Sequence, residues 1–171
     1  MKNIFSRIGW MVFALVFAGS TAFAAAEKVS RPATKKDMVG TWELVAVRPI
    51  HDPKDPVFYP FQRYVFDGDA SMKYMVSEKP FAKEWLDKFA KQPREIDYRV
   101  DEKGILSLLW QSKPHQEMAI CAFVLQNVPP DVLAKVPEEA RKKLPKKGDL
   151  TLSFLNSQGK IAYQKILTRV G

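Results

Sequence analysis

The chain has 171 residues, 46% of them hydrophobic, and 27 Lys and Arg against 19 Asp and Glu give a net charge of +8. That length suits one domain with one core. A single cysteine, Cys121, excludes an internal disulfide framework, so the fold must be stable from its core alone.

The first element in the chain is a leader. Lys2 and Arg7 precede the apolar run IGWMVFALVFAG, which ends in small residues with Ala22-Phe23-Ala24 as an A-x-A site. That order predicts a secretory signal peptide over residues 1–24 and a periplasmic or secreted protein. The apolar run is short for a membrane span, which wants about 20 apolar residues, so no stable span is expected. No cysteine near the site offers lipid attachment, and there is no twin arginine, so the general secretion route fits. Residues 25–37 then read as a flexible N-terminal segment and 38–171 as the folded domain. The remaining basic excess is mild and forms no single dense block; KVSRPATKK is a basic entry tail and ARKKLPKK a basic loop. It reads as a solvated surface or a contact for an acidic partner, with nucleic acid excluded for an exported chain.

TWELVAVR predicts the first strand. RPIHDPKDPVFYPFQ, with four prolines, predicts a long loop. RYVFDGDASMKYMV predicts a hairpin turning at Asp67-Gly68, where glycine tolerates positive φ. PFAKEWLDKFAKQ places Phe81, Trp85 and Phe89 four apart, an amphipathic helix opened by Pro80. EIDYRVDEKGILSLLW predicts a second hairpin in which Ile96, Tyr98 and Val100 alternate with polar residues. EMAICAFVLQNV predicts a sixth strand, apolar on both faces. PPDVLAKVPEEARKKLPKK, broken by Pro137, predicts one or two helical turns in a long connection. DLTLSFLNSQGKIAYQKILTRV predicts a third hairpin, with Leu150, Leu152 and Phe154 on one face. Eight mostly antiparallel strands in a chain of this size predict a closed up-and-down barrel, which also removes exposed edges.

Gly40-Thr41-Trp42 opens the first strand and Arg169 sits at the end of the last. This arrangement resembles the G-x-W signature of the lipocalin-like (calycin) barrels, above all bacterial ones that begin with a V-G-T-W-x-L-V phrase. The resemblance covers about residues 39–170. It implies that Trp42 closes the barrel floor with Arg169 lying across its ring, and that Gly40, Trp42 and Arg169 are structural. The physics agrees: a large apolar plug under a planar cation whose head stays wet.

Catalytic and metal signatures are weak. His51 lies in the proline-rich loop and His115 in a turn, and no G-x-S-x-G elbow accompanies them. In HQEMAIC, His115, Met118 and Cys121 are three apart. On a strand His115 and Cys121 share one face and Met118 takes the other, so one strand cannot gather all three on a metal. Cys121, within an apolar run, reads as a buried structural thiol. Asp67 and Asp69 flank a turn glycine, and Glu138-Glu139 lie in a charged loop. No zinc spacing or phosphate-cradling loop is present. No enzyme activity, metal or cofactor is therefore expected.

The expected inner faces are rich in aromatic and methionine residues: Tyr64 and Phe66, then Met72 and Tyr74, then Tyr98, Trp110 and Phe154. Such residues line pockets for small apolar ligands, with tyrosine hydroxyls as polar tips. The expected function is non-catalytic binding of a small hydrophobic or amphiphilic molecule in the barrel. The alternative is an envelope interaction or structural module with a filled barrel, contacting a protein partner through the basic loop at Arg141–Lys147.

Overall fold

The computed structural model describes residues 29–49, 51–112 and 114–170, so the expected leader lies outside the described residues. Eight strands follow one another around a closed barrel: β2 (Gly40–Arg48), β3 (Phe61–Phe66), β4 (Ser71–Ser77), β5 (Ile96–Val100), β6 (Ile105–Trp110), β7 (Gln116–Val124), β8 (Leu150–Leu155) and β9 (Ile161–Arg169). Each pairs antiparallel with the next, and β9 returns to β2. The predicted up-and-down barrel is thus the observed fold. A ninth strand, β1 (Ser30–Pro32), pairs with Ala122–Val124 of β7. It takes the edge that β6 leaves, since β6 pairs with β7 only as far as Ile120.

Alternation builds the wall. On β5, Ile96 and Tyr98 are buried while Asp97 and Arg99 are exposed, and on β3 Gln62, Tyr64 and Phe66 face the interior. On β7, Ala119 and Cys121 are fully buried, but Met118 and Ile120 are exposed. The strand expected to be apolar on both faces therefore has one solvent face there, because nothing among the described residues packs over that wall. The first hairpin also departs from expectation. Its positive φ falls on Ala70, at 72°, rather than on Gly68. Asp67 N donates to Ser71 O and Ala70 N to Asp67 O, so the loop spans four residues and puts its left-handed position last.

One end of the barrel is sealed. Helix α1 (Lys35–Met38) lies against it, and Trp42 is fully buried with Nε1 donating to Met38 O at 2.7 Å. The Arg169 guanidinium sits 4.6 Å from the indole centroid, and its Nη2 donates to Asp37 O at 2.9 Å. Gly40 is favoured here by its φ of +135°, a conformation that L side chains rarely adopt, and a Cβ would also push on Arg169 Nη1 at 2.9 Å. The Asp37 carboxylate accepts from Arg31 Nη1 and Nη2 at 2.6 and 2.8 Å and from Thr34 N at 2.7 Å. The Arg31 pairing holds its carboxyl far below the usual carboxylate range. Much of the segment expected to be a flexible lead-in is therefore built into the seal.

Gly104 joins these parts. Its φ is +75°, and a Cβ there would lie 2.5 Å from Cys121 O and 3.1 Å from Pro32 Cβ. Cys121 N donates to Gly104 O at 2.7 Å, and Ala33 N donates to Cys121 O at 3.0 Å. Gly104→Ala is expected to destabilise by at least about 2 kcal/mol, from a left-handed alanine plus an unrelieved backbone contact. Gly159→Ala is the control, because its φ is +72° and nothing lies within 4 Å of a Cβ there. Equal melting temperatures for the two variants would remove the packing role of Gly104.

Helix α2 (Lys83–Lys91) links β4 to β5 and lies against the outer wall. Only Phe89 of the expected aromatic stripe is buried; Trp85 is 50% exposed, and Phe81 precedes the helix and meets Phe61 edge-on. The helix is held by its C-terminus. Buried Lys73 donates to Phe89 O, Ala90 O and Gln92 O at 2.5, 2.8 and 3.0 Å, a cation capping orphan carbonyls at the negative end of the helix dipole. The connection after β7 holds two single turns, α3 (Pro130–Leu133) and α4 (Glu138–Arg141), as Pro137 predicts.

Candidate functional site

The end opposite Trp42 holds a partly open cavity of about 90 Å³. Strand register places its walls. Tyr64 on β3 faces Tyr74 on β4, and Gln62 faces Val76. Leu108 on β6 pairs with Glu117 on β7, while Phe154 on β8 pairs with Tyr163 on β9. These residues, except Gln62, line the cavity together with Met72, Trp110, Lys165 and the loop residues Pro56 and Val57. Tyr74 is 42% exposed although it shares the inward face of β4, so it marks the mouth. The reason is a short pairing. β4 and β5 share only Ser71↔Asp97 and Met72↔Ile96, and β4 then runs on to Ser77 without them.

The aromatic walls are ordered by stacking. Tyr64 and Tyr74 stack at 5.9 Å, and Phe154 and Tyr163 at 4.8 Å. Phe58, from a 3-10 turn at Pro56–Phe58, meets Tyr163 edge-on at 5.6 Å. Into this apolar box projects Lys165, only 5% exposed. Its Nζ donates to Gln62 Oε1 at 2.9 Å and to Tyr64 Oη at 2.8 Å, and the Tyr64 hydroxyl itself donates to Gln62 Oε1. Gln62 is oriented by donating Nε2 to Val57 O and Tyr59 O at 2.9 and 2.8 Å. The rings of Tyr64, Phe154 and Tyr163 lie 5.4–5.6 Å from Nζ.

Electrostatics follow from this burial. Desolvation lowers the Lys165 ammonium to about 8, opposed to a lesser extent by the negative charges of Glu117 and Asp55. Burial likewise raises the Tyr64 and Tyr163 hydroxyls well above their ordinary value. Among the described residues no carboxylate lies within 4 Å of Nζ. Glu117 pairs instead with His115 at 3.2 Å, near the rim.

Of the residues expected to bind a ligand, Tyr64, Met72, Tyr74, Trp110 and Phe154 line the cavity. Phe66 and Tyr98 are outside it. They pack edge-to-face at 5.1 Å nearer the sealed end, and the Tyr98 hydroxyl donates to Asp67 O at 2.6 Å. Gly40, Trp42 and Arg169 come together as described above. The two loop histidines have packed neighbours rather than solvent alone. His51 meets Ala162 O at 3.0 Å and the Phe58 ring, and His115 rests against Trp110 at 4.7 Å. Cys121 is fully buried, and burial pushes its thiol up, while Met118 is exposed on the other face. Among the described residues no three His, Cys, Asp or Glu side chains group to hold a metal. No helix among them is long and apolar enough to cross a membrane.

No family model, curated protein or solved structure matches this chain. The closed eight-stranded antiparallel barrel with a tryptophan–arginine seal is compatible with a calycin-like fold.

Sequence reading missed Lys165, Tyr163, Gln62 and Glu117. A signal for Lys165 was present. In YQKILTR, Lys165 shares its parity with Leu167 and Arg169, which puts it on the inner face.

Proposed function

We propose that the protein is an exported, non-catalytic, lipocalin-like barrel that binds a small amphiphilic molecule at its open end. The observation that carries this reading is the partly open aromatic cavity opposite a sealed end. Its volume, about 90 Å³, is well below the 300–1,000 Å³ typical of drug-sized ligands. The buried part of the ligand is therefore only a few heavy atoms, with any longer tail leaving past Tyr74. Apolar burial at roughly 25 cal/mol per Å², less the costs of association, limits such a ligand to modest affinity.

An interaction module with a mostly filled barrel is the second reading. It is favoured by the exposed side chains Leu109, Met118 and Ile120 on the outer wall of β6 and β7. Native mass spectrometry of protein taken from its own cell envelope separates the two. The binding reading expects a co-purifying small molecule that is released on denaturation. A bare chain mass, with no thermal shift from short amphiphiles, would favour the interaction module.

A further inference from the structure

We propose that Lys165 anchors the anionic head of a small monocarboxylate, with its hydrocarbon part held between the rings of Tyr64, Tyr74, Phe154 and Tyr163. This rests on the binding reading above and names the chemistry of the ligand.

The argument comes from comparing the two buried lysines of the barrel. Lys73 has three N–H donors and three carbonyl acceptors, all from the end of α2, so its role is structural and complete. Lys165 is at least as buried, yet has two acceptors, both neutral side-chain oxygens. Its third donor has no protein partner among the described residues. A buried charge is costly unless it is paired, and here the compensation is two neutral hydrogen bonds and three ring faces.

The surroundings favour a carboxylate over a neutral head. The Gln62 amide is fixed by two backbone carbonyls, so its oxygen is held toward Nζ and Tyr64. The Tyr64 hydroxyl already donates to that oxygen and accepts from Nζ. What remains to offer a ligand is an ammonium N–H and its charge, which suits an acceptor that is itself charged. Glu117 also lines the cavity, with its carboxylate 3.2 Å from His115. Its negative charge repels a second anionic group, so the ligand carries a single anionic head, placed at the ammonium. The small volume makes the same selection by size, admitting a short acid or the head of a longer one.

The probes are butyrate and 1-butanol, matched in chain length and different in charge. Both are titrated at pH 7 into the protein, into Lys165→Met and into Lys165→Gln, and followed by backbone amide NMR shifts. Butyrate is expected to bind wild type at least tenfold more tightly than 1-butanol, with shifts centred on β3, β8 and β9. Both neutral variants are expected to lose that preference, binding butyrate no more tightly than 1-butanol. The glutamine variant preserves polarity should the methionine variant fold poorly, and the unperturbed spectrum reports folding directly. Equal binding of both probes by wild type overturns the anchor and leaves the cavity reading standing. A butyrate preference that survives in both variants places the anchor elsewhere. Binding of neither probe at millimolar concentrations rejects the cavity reading and the anchor together.

Discussion

Trp42→Ala is expected to cost about 4 kcal/mol of folding stability, in the range for removing a large buried aromatic. The indole is fully buried, so its removal opens a void at the floor of the barrel that backbone hydrogen bonds prevent from collapsing. Two further losses accompany the cavity. Met38 O loses the Nε1 donor that holds α1 against the barrel, and a buried carbonyl without a partner costs about 1–3 kcal/mol. Arg169 loses the ring beneath its guanidinium, an attraction of about 0.5–1 kcal/mol at an exposed site. Trp42→Phe keeps an apolar plug but removes the donor, so it falls between wild type and alanine. Urea unfolding followed by far-ultraviolet circular dichroism measures all three. An alanine variant within about 1 kcal/mol of wild type would mean that the seal is not part of the cooperative fold.

Lys165→Met is expected to behave in the opposite sense near neutrality. The folded-state value of about 8 lies below the ordinary lysine value of 10.5, so the folded protein holds this proton less tightly than the unfolded chain. Below pH 8 both states are charged, and the fold carries the full desolvation cost, about 3 kcal/mol for that separation. Between pH 8 and 10.5 the unfolded chain keeps a proton that the folded protein has released, so stability rises with pH across this window. Methionine has no charge to desolvate. The stability of wild type relative to Lys165→Met should therefore increase by about 2–3 kcal/mol from pH 7 to pH 10. The raised hydroxyls of Tyr64 and Tyr163 lower stability only above their ordinary range, and they are present in both proteins. Chemical denaturation of the ligand-free proteins at pH 7, 8, 9 and 10 checks the slope. A difference that stays flat with pH would show that water or a nearby anion keeps the ammonium at its ordinary value.

The site was half legible. Tyr64, Met72, Tyr74, Trp110 and Phe154 could be assigned to the interior because strict alternation with polar neighbours leaves an apolar side chain one choice of face. Phe66 and Tyr98 obey the same rule and also lie inside. Whether an inward ring lines a cavity or fills the core depends on its height in the barrel, and height is set by register and tilt between strands. Lys165 and Gln62 escaped because a polar residue within a strand is first read as outward. Only the network joining Gln62, Tyr64 and Lys165 makes their burial tolerable, and Lys165 lies 103 and 101 residues along the chain from the other two.

Local chemistry, then, determined the strands, the DEKG and NSQG turns and the aromatic interior, each through side-chain alternation or turn conformation. The Trp42–Arg169 seal was legible only through the resemblance of Gly40-Thr41-Trp42 and Arg169 to the calycin barrels, because its two residues come from opposite ends of the folded chain. Tertiary structure alone decided that β4 parts from β5 beyond Met72, leaving a mouth at Tyr74, and that one buried lysine is saturated by a helix end while the other faces a cavity. Those outcomes depend on which distant strands share a rung, which is a property of barrel closure and not of any local stretch of sequence.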